Sequence, residues 1–140
     1  PKNDVYSLRI VNNSTVEWNV RQCTGDIPMP RAYHSACKVG EDKMFIFGGC
    51  YTSNLRYNDT FFLKLRKFEI IQQTFNGTNL PIKNQVEFKE RNVKDGGPEP
   101  RAYHSMTPYK NKIIIFGGHG GIDYNRTAFN DIYELDLETF

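Results

Sequence analysis

Apolar side chains fall in two kinds of short run along this chain. Met44-Phe45-Ile46-Phe47 and Ile113-Ile114-Ile115-Phe116 are continuous and lead into a glycine pair, whereas the segments opened by Asn3-Asp4, Asn58-Asp59 and Asn130-Asp131 carry alternating apolar side chains. Both kinds are rich in Val, Ile, Phe and Tyr and are bounded by Gly, Pro, Asn and Asp, which is the signature of β-strands. No stretch sustains a 3.6-residue period, so almost no helix is expected.

The runs repeat in order. Pro30-Arg31-Ala32-Tyr33-His34-Ser35 recurs letter for letter as Pro100-Arg101-Ala102-Tyr103-His104-Ser105, and the same shift sets Val86-Glu87-Phe88 on Val16-Glu17-Trp18. A bulky aromatic is kept at that position while its neighbours drift. Each unit therefore predicts four strands: the first beginning near His34 or His104, the second running to the glycine pair, the third opening at Asn-Asp, and the fourth carrying Trp18 or Phe88. Segments 39–43 and 109–112 read as tight turns between first and second strands. The glycine pairs, Gly48-Gly49 and Gly117-Gly118, permit positive φ and close backbone approach. Arg31 and Arg101 are expected to bond backbone carbonyls of a neighbouring element.

This order of landmarks, Pro-Arg-x-x-His-Ser, apolar run, Gly-Gly, Asn-Asp, alternating strand and aromatic, resembles the kelch repeat over essentially the whole chain. The resemblance implies an all-β fold of antiparallel four-stranded blades belonging to a β-propeller, with about five to seven blades around a channel. Residues 1–30 would end one blade, 31–99 form a complete one, and 100–140 supply most of a third. Two, four and three strands cannot close such a ring, so the chain is expected to be part of a larger protein, packing against further blades or associating with itself through open edges. The link from third to fourth strand is longer in the complete blade. Its extra segment, 67–84, reads as an outer hairpin turning at Asn76-Gly77.

Composition changes this picture little. The net charge is +2, and the densest basic cluster, Lys64-Leu65-Arg66-Lys67, is explained by a strand with charges outward, so neither nucleic acid nor membrane is expected as a partner. Mean hydropathy of −0.60 and the absence of a long apolar run exclude a helical membrane span. Three cysteines make an odd count, and Cys23 and Cys37 correspond to Val93 and Thr107, which argues against a disulfide framework and for a reducing, cytoplasmic setting. Sequons at Asn12, Asn13, Asn58, Asn76 and Asn125 are expected by chance in a chain this rich in asparagine.

Candidate chemistry is of three kinds. His34-Ser35 and His104-Ser105, with Asp59 and Asp131, contain the residue types of a hydrolase triad. Their duplication speaks against a single catalytic site, and structural roles for the histidines and Asn-Asp side chains, satisfying buried backbone groups, are expected instead. Cys50 and His119 follow the glycine pair in successive units, but two ligands do not make a metal site. No cofactor is expected. The kelch resemblance implies instead a protein or peptide partner held by the turn entering the first strand and by the link after Gly-Gly. The positions so implicated are Tyr33, Tyr51, Asn54, Arg56, Tyr103, His119, Asp123, Tyr124, Asn125 and Arg126. Tyrosine supplies rigid amphipathic area and arginine a planar fork for carboxylates. The same resemblance leaves open a regulatory or substrate-recognition region of an enzyme, such as a kelch-containing Ser/Thr phosphatase or a ubiquitin-ligase adaptor. A metal-dependent oxidase propeller is a remoter alternative.

Overall fold

A computed structural model describes residues 1–65, 85–91, 97–122 and 125–139. The described residues form nine strands and no α-helix: β1 (Val5–Asn12), β2 (Thr15–Gly25), β3 (Ser35–Val39), β4 (Lys43–Phe47), β5 (Thr60–Leu65), β6 (Gln85–Arg91), β7 (Ser105–Tyr109), β8 (Lys112–Gly120) and β9 (Thr127–Asp136). The expected outer hairpin over 67–84 lies outside the described residues, as does Asn76-Gly77.

Strands β3 to β6 are one four-stranded unit, antiparallel throughout, with Phe45 opposite Cys37 on one side and Phe62 on the other. Strands β7 to β9 repeat its first three members, with β8 running on through the glycine pair and bulging between Phe116 and Gly118. Strands β1 and β2 pair as a hairpin, Leu8 opposite Trp18, and the far end of β2 then runs parallel to β6. The result is one six-stranded sheet in the order β1-β2-β6-β5-β4-β3, beside a three-stranded sheet, β7-β8-β9.

The parallel join has a local cause. Gly25 adopts a φ of 77°, and a Cβ there would stand 2.2 Å from the Phe88 carbonyl oxygen, so only glycine lets β2 approach β6 so closely. Beyond it the Asp26 amide donates to that same carbonyl at 3.0 Å, and the Asp26 carboxylate accepts from the Glu90 amide at 3.2 Å.

Strand alternation puts apolar residues on both faces of β4, and each face has its own core. Phe45 and Phe47, with Cys37, pack on Ile113 and Ile115 of β8. Ile46 faces the other way and clusters with Phe61, Leu63, Val86 and Phe88, against which Val5, Cys23 and Met44 pack. One sheet thus contributes to two cores, and each core is completed by a neighbour, as repeat architectures require.

Where no described neighbour covers them, the same positions are bare. Phe47 is 1% exposed but its equivalent Phe116 is 50% exposed, and Phe88 is 4% exposed while Trp18 is 67% exposed. Tyr6, Leu8 and Ile10 stand opposite Val20, Trp18 and Val16 in the hairpin ladder, and all six are exposed.

Replacement of Gly25 by Ala is expected to cost more than about 1 kcal/mol, because the new methyl group would push β2 off β6 and the residue would keep an unfavourable φ. A lowered urea midpoint, with faster hydrogen exchange at the Asp26 amide, checks it.

Candidate functional site

One buried guanidinium organises each unit. Arg31 Nη1 and Nη2 donate to the two carboxylate oxygens of Asp59 at 2.5 and 2.8 Å, Nη1 also donates to the Gly48 carbonyl at 2.9 Å, and Nε donates to the Met29 carbonyl at 3.1 Å. Arg101 repeats the set with Asp131 at 2.6 and 2.9 Å, Gly117 at 2.9 Å and Glu99 at 3.1 Å. Aromatic rings face each guanidinium: Tyr57 and Phe61 lie 4.4 and 5.2 Å from Arg31, and Phe129 and Tyr133 lie 4.1 and 5.3 Å from Arg101. Arg101 is fully buried. Such a charge is tolerated only because its donors are matched and its carboxylate is bidentate. The expectation that the arginines bond carbonyls describes half of their partners. The aspartates, expected to satisfy backbone groups, are the other half, and Arg101 holds the Asp131 carboxyl below its usual pKa.

The histidines correct the expected backbone role more sharply. His104 lies edge-on to Phe47 of the preceding unit, ring centroids 5.2 Å apart, and neither buried ring nitrogen has a partner in hydrogen-bond geometry. Burial, then the nearby charge of Arg101, pushes its pKa down to about 4, outweighing a small opposite pull from the Phe47 backbone. His34, at the same position of the other unit, is exposed. The triad residue types do not assemble: Asp59 faces Arg31, and Ser35 Oγ donates to the His104 carbonyl of the next unit at 2.5 Å.

The turn residues Tyr33 and Tyr103 come together. Their rings stack at 4.1 Å with planes 24° apart, the Tyr103 amide donates to the Tyr33 carbonyl at 3.0 Å, and His119 lies edge-on to Tyr103 at 6.0 Å. Both tyrosines are exposed, and both hold a left-handed backbone, φ 56° and 62°. That conformation is unfavourable for a bulky side chain. Its occurrence twice at one repeat position ties it to the loop geometry: Ala32 exchanges two backbone hydrogen bonds with Cys50, as Ala102 does with His119.

The links after the glycine pairs flank this stack. Tyr51 is exposed, and its amide donates to Leu55; Asn54 is exposed, with its side-chain oxygen accepting from Ser53 Oγ at 3.3 Å. Arg56 is not a free fork for carboxylates. Its Nη1 donates to the Ser53 carbonyl at 2.7 Å and to the Gly121 carbonyl of the next unit's link, so it ties two links together. Asn125 and Arg126 are exposed in the second link, the Asn125 amide donating to the Ile122 carbonyl. Asp123 and Tyr124 lie outside the described residues. Cys50 and His119 do occupy equivalent backbone positions, but no group of three or more His, Cys, Asp or Glu side chains that would hold a metal occurs among the described residues. Cys23, Cys37 and Cys50 are free thiols, and burial pushes the Cys37 thiol up from its ordinary pKa.

Comparison with known proteins bears on this arrangement. The family described as the KLHDC2/KLHL20/DRC7 Kelch-repeats domain matches residues 1–140. The chain is 30% identical to tip elongation aberrant protein 3 of Schizosaccharomyces pombe over 98% of its own length and 12% of that protein. It is 29% identical to an F-box/kelch-repeat protein of Arabidopsis thaliana over 97% of the chain and 26% of the relative. A third similarity, 26% identity over 91% of the chain, is to N-(sulfonatooxy)prop-2-enimidothioate sulfolyase of Thlaspi arvense, of which 31% is covered. The chain thus spans less than a third of the length of these relatives.

Two outcomes are expected of the buried groups. Asp59→Ala, which leaves the Arg31 guanidinium buried without its carboxylate, is expected to cost about 3 kcal/mol or more in urea unfolding. His104 is neutral in the fold, so its contribution is complete above its ordinary pKa of 6.5 and is lost as pH falls through about 4. The loss amounts to roughly 3 kcal/mol. Unfolding free energies measured between pH 7 and pH 4 should fall in the wild type, and His104→Phe should remove that part of the slope.

Proposed function

The chain belongs to the kelch-repeat family, and from that premise we propose that it is a non-catalytic recognition module, binding a protein or peptide partner across the face that bears the Tyr33–Tyr103 stack. Its sheets are blades of the propeller type, and it spans a small part of the longer proteins it resembles. The observation that carries the reading is the stack itself. Two large aromatic side chains stand in solvent, ordered by mutual stacking and a direct backbone hydrogen bond, in a conformation that penalises every residue but glycine. Rigid, exposed aromatic area is what recognition surfaces use, since little entropy is lost when a partner covers it. His119, Tyr51 and the exposed Arg126 border the stack or its flanking links and supply polar reach, while Arg56 sets the link geometry.

Catalysis finds less support in the geometry. The duplicated histidine, serine and aspartate are each engaged elsewhere or unpartnered, and the sulfolyase similarity is that protein's property, covering under a third of it. A substrate-recognition role of the kind a ubiquitin-ligase adaptor plays is a narrower form of the same proposal. The unbonded thiols suit a reducing, cytoplasmic setting.

Tyr33→Gly and Tyr103→Gly separate recognition from folding. If the tyrosines serve a partner, glycine relieves the backbone penalty and leaves the melting temperature equal or higher, by up to about 1 kcal/mol in stability, while proteins retained by the wild-type chain in quantitative affinity purification are lost from the double variant. A lowered melting temperature with unchanged retention would overturn the reading.

A further inference from the structure

Tyr33 and Tyr103 bring two phenols together as well as two ring faces. Their centroids lie 4.1 Å apart with planes 24° from parallel. Tyr103 is raised above its ordinary pKa first by a hydrogen bond with the Tyr33 hydroxyl and then by desolvation and the neighbouring Tyr33 and Cys50 groups, against a smaller opposite pull from Arg56. Hydroxyls that touch across stacked rings mean that both rings point the same way. A carbon ortho to each hydroxyl thus sits between a hydroxyl pair in contact and a centroid pair at 4.1 Å, which sets one such carbon of each ring against its counterpart at van der Waals range. The backbone holds the pair in place: both residues keep their left-handed φ, the Tyr103 amide donates to the Tyr33 carbonyl, and the nearby Arg31 and Arg101 anchor the two turns. Both rings are open to a small oxidant, with Tyr33 56% and Tyr103 55% exposed.

We propose that the Tyr33–Tyr103 pair is an oxidative modification site, at which a one-electron oxidant of the peroxidase and hydrogen peroxide class joins the two rings through their ortho carbons as dityrosine. Each phenol gives up one electron and its hydroxyl proton, leaving a phenoxyl radical whose unpaired spin is shared between the oxygen and the ring carbons ortho to it. The two unpaired electrons pair in a new carbon–carbon bond, formed across the facing rings in the arrangement that the stack already presents. Each joined carbon then releases its hydrogen as a proton while its own oxygen takes one up, which restores the aromatic ring and the hydroxyl. Two electrons and two protons leave the protein, and one hydrogen peroxide accepts them to become two waters.

Proximity selects this pair. Two groups held in contact within one chain react far faster than groups that must first meet between chains, because the encounter and the orientation are already supplied by the fold. The link would join the entrance of β3 to the entrance of β7 and so close a long stretch of chain into a loop, which restricts the unfolded state more than the folded one. Thiols do not reverse a carbon–carbon bond, so the link persists under conditions that keep Cys23, Cys37 and Cys50 free. It forms whether or not a partner binds the same face, and is therefore independent of the recognition reading.

The test treats the dilute chain with a haem peroxidase and hydrogen peroxide. Blue dityrosine fluorescence should appear while the chain still runs as a monomer on a reducing, denaturing gel. Tryptic digestion should release segment 32–38 joined to segment 102–110, lighter than the two together by two hydrogen atoms, with fragmentation placing the bond at Tyr33 and Tyr103. Tyr33→Phe and Tyr103→Phe keep the rings and remove one phenol, so each should lower the yield of this internal link about tenfold or more, whereas Tyr109→Phe, within the same tryptic segment, should leave it unchanged. The linked chain should unfold at a higher urea concentration than the untreated one. An equal internal yield from the urea-unfolded chain overturns the proposal, as do links that map to other tyrosines, cross-linked dimers in place of the internal link, or no dityrosine at all.

Discussion

A buried guanidinium clamped by a bidentate carboxylate is the constraint on which each unit depends. Arg31 joins the entrance of β3 to the end of β4 through the Gly48 carbonyl and to the start of β5 through Asp59. Three chain segments far apart in sequence are thereby held at one point, with Tyr57 and Phe61 on the guanidinium faces. Interiors seldom accept an arginine, and the reason this one is accepted is that its donors have partners and its flat faces meet π-systems. Removing the carboxylate would leave the guanidinium buried without its counter-charge, which costs far more than the pair contributes over an apolar substitute of the same shape.

Above the level of one unit the structure is a chain of half-cores. Phe45 and Phe47 look one way and Ile46 the other, so no sheet is complete without both neighbours. Identical residues consequently differ in environment: His104 is buried with Phe47 edge-on to it, and His34, in the same six-residue segment, is exposed.

Much of this was legible in the residues. The recurrence of Pro-Arg-Ala-Tyr-His-Ser, the apolar runs and the Asn-Asp openings marks out strands that the structure contains, because local β-pattern and turn chemistry agree at every landmark. The Arg–Asp pair was not legible, although both members were noted as landmarks. Their separation differs between the units, 28 residues in one and 30 in the other, so no fixed spacing marks the contact. The parallel join of β2 to β6 was hidden for a different reason: it rests on one glycine, Gly25, whose close approach to Phe88 has no periodic signature. Of the recognition residues, Tyr33 and Tyr103 were found by position in the repeat, but their left-handed backbone has no mark in the sequence, since tyrosine is among the residues least expected there. The role of Arg56 as a tie between links has no mark in the sequence, because its carbonyl partners, Ser53 and Gly121, lie in irregular segments.

The glycine pairs have a geometric meaning beyond the freedom of their own backbone. A Cβ on Gly48 would lie 2.7 Å from the Arg101 carbonyl oxygen, and the Gly49 amide donates to that oxygen at 2.9 Å, so successive sheets touch backbone to backbone at this end. Face-to-face sheets ordinarily keep about 10 Å apart. Among the described strands of the two units, β3 and β7 bring their backbones nearest each other. Two backbones thus meet directly beside a core that Phe45 and Phe47 fill, and a side chain at Gly48 would have to push the neighbouring sheet away.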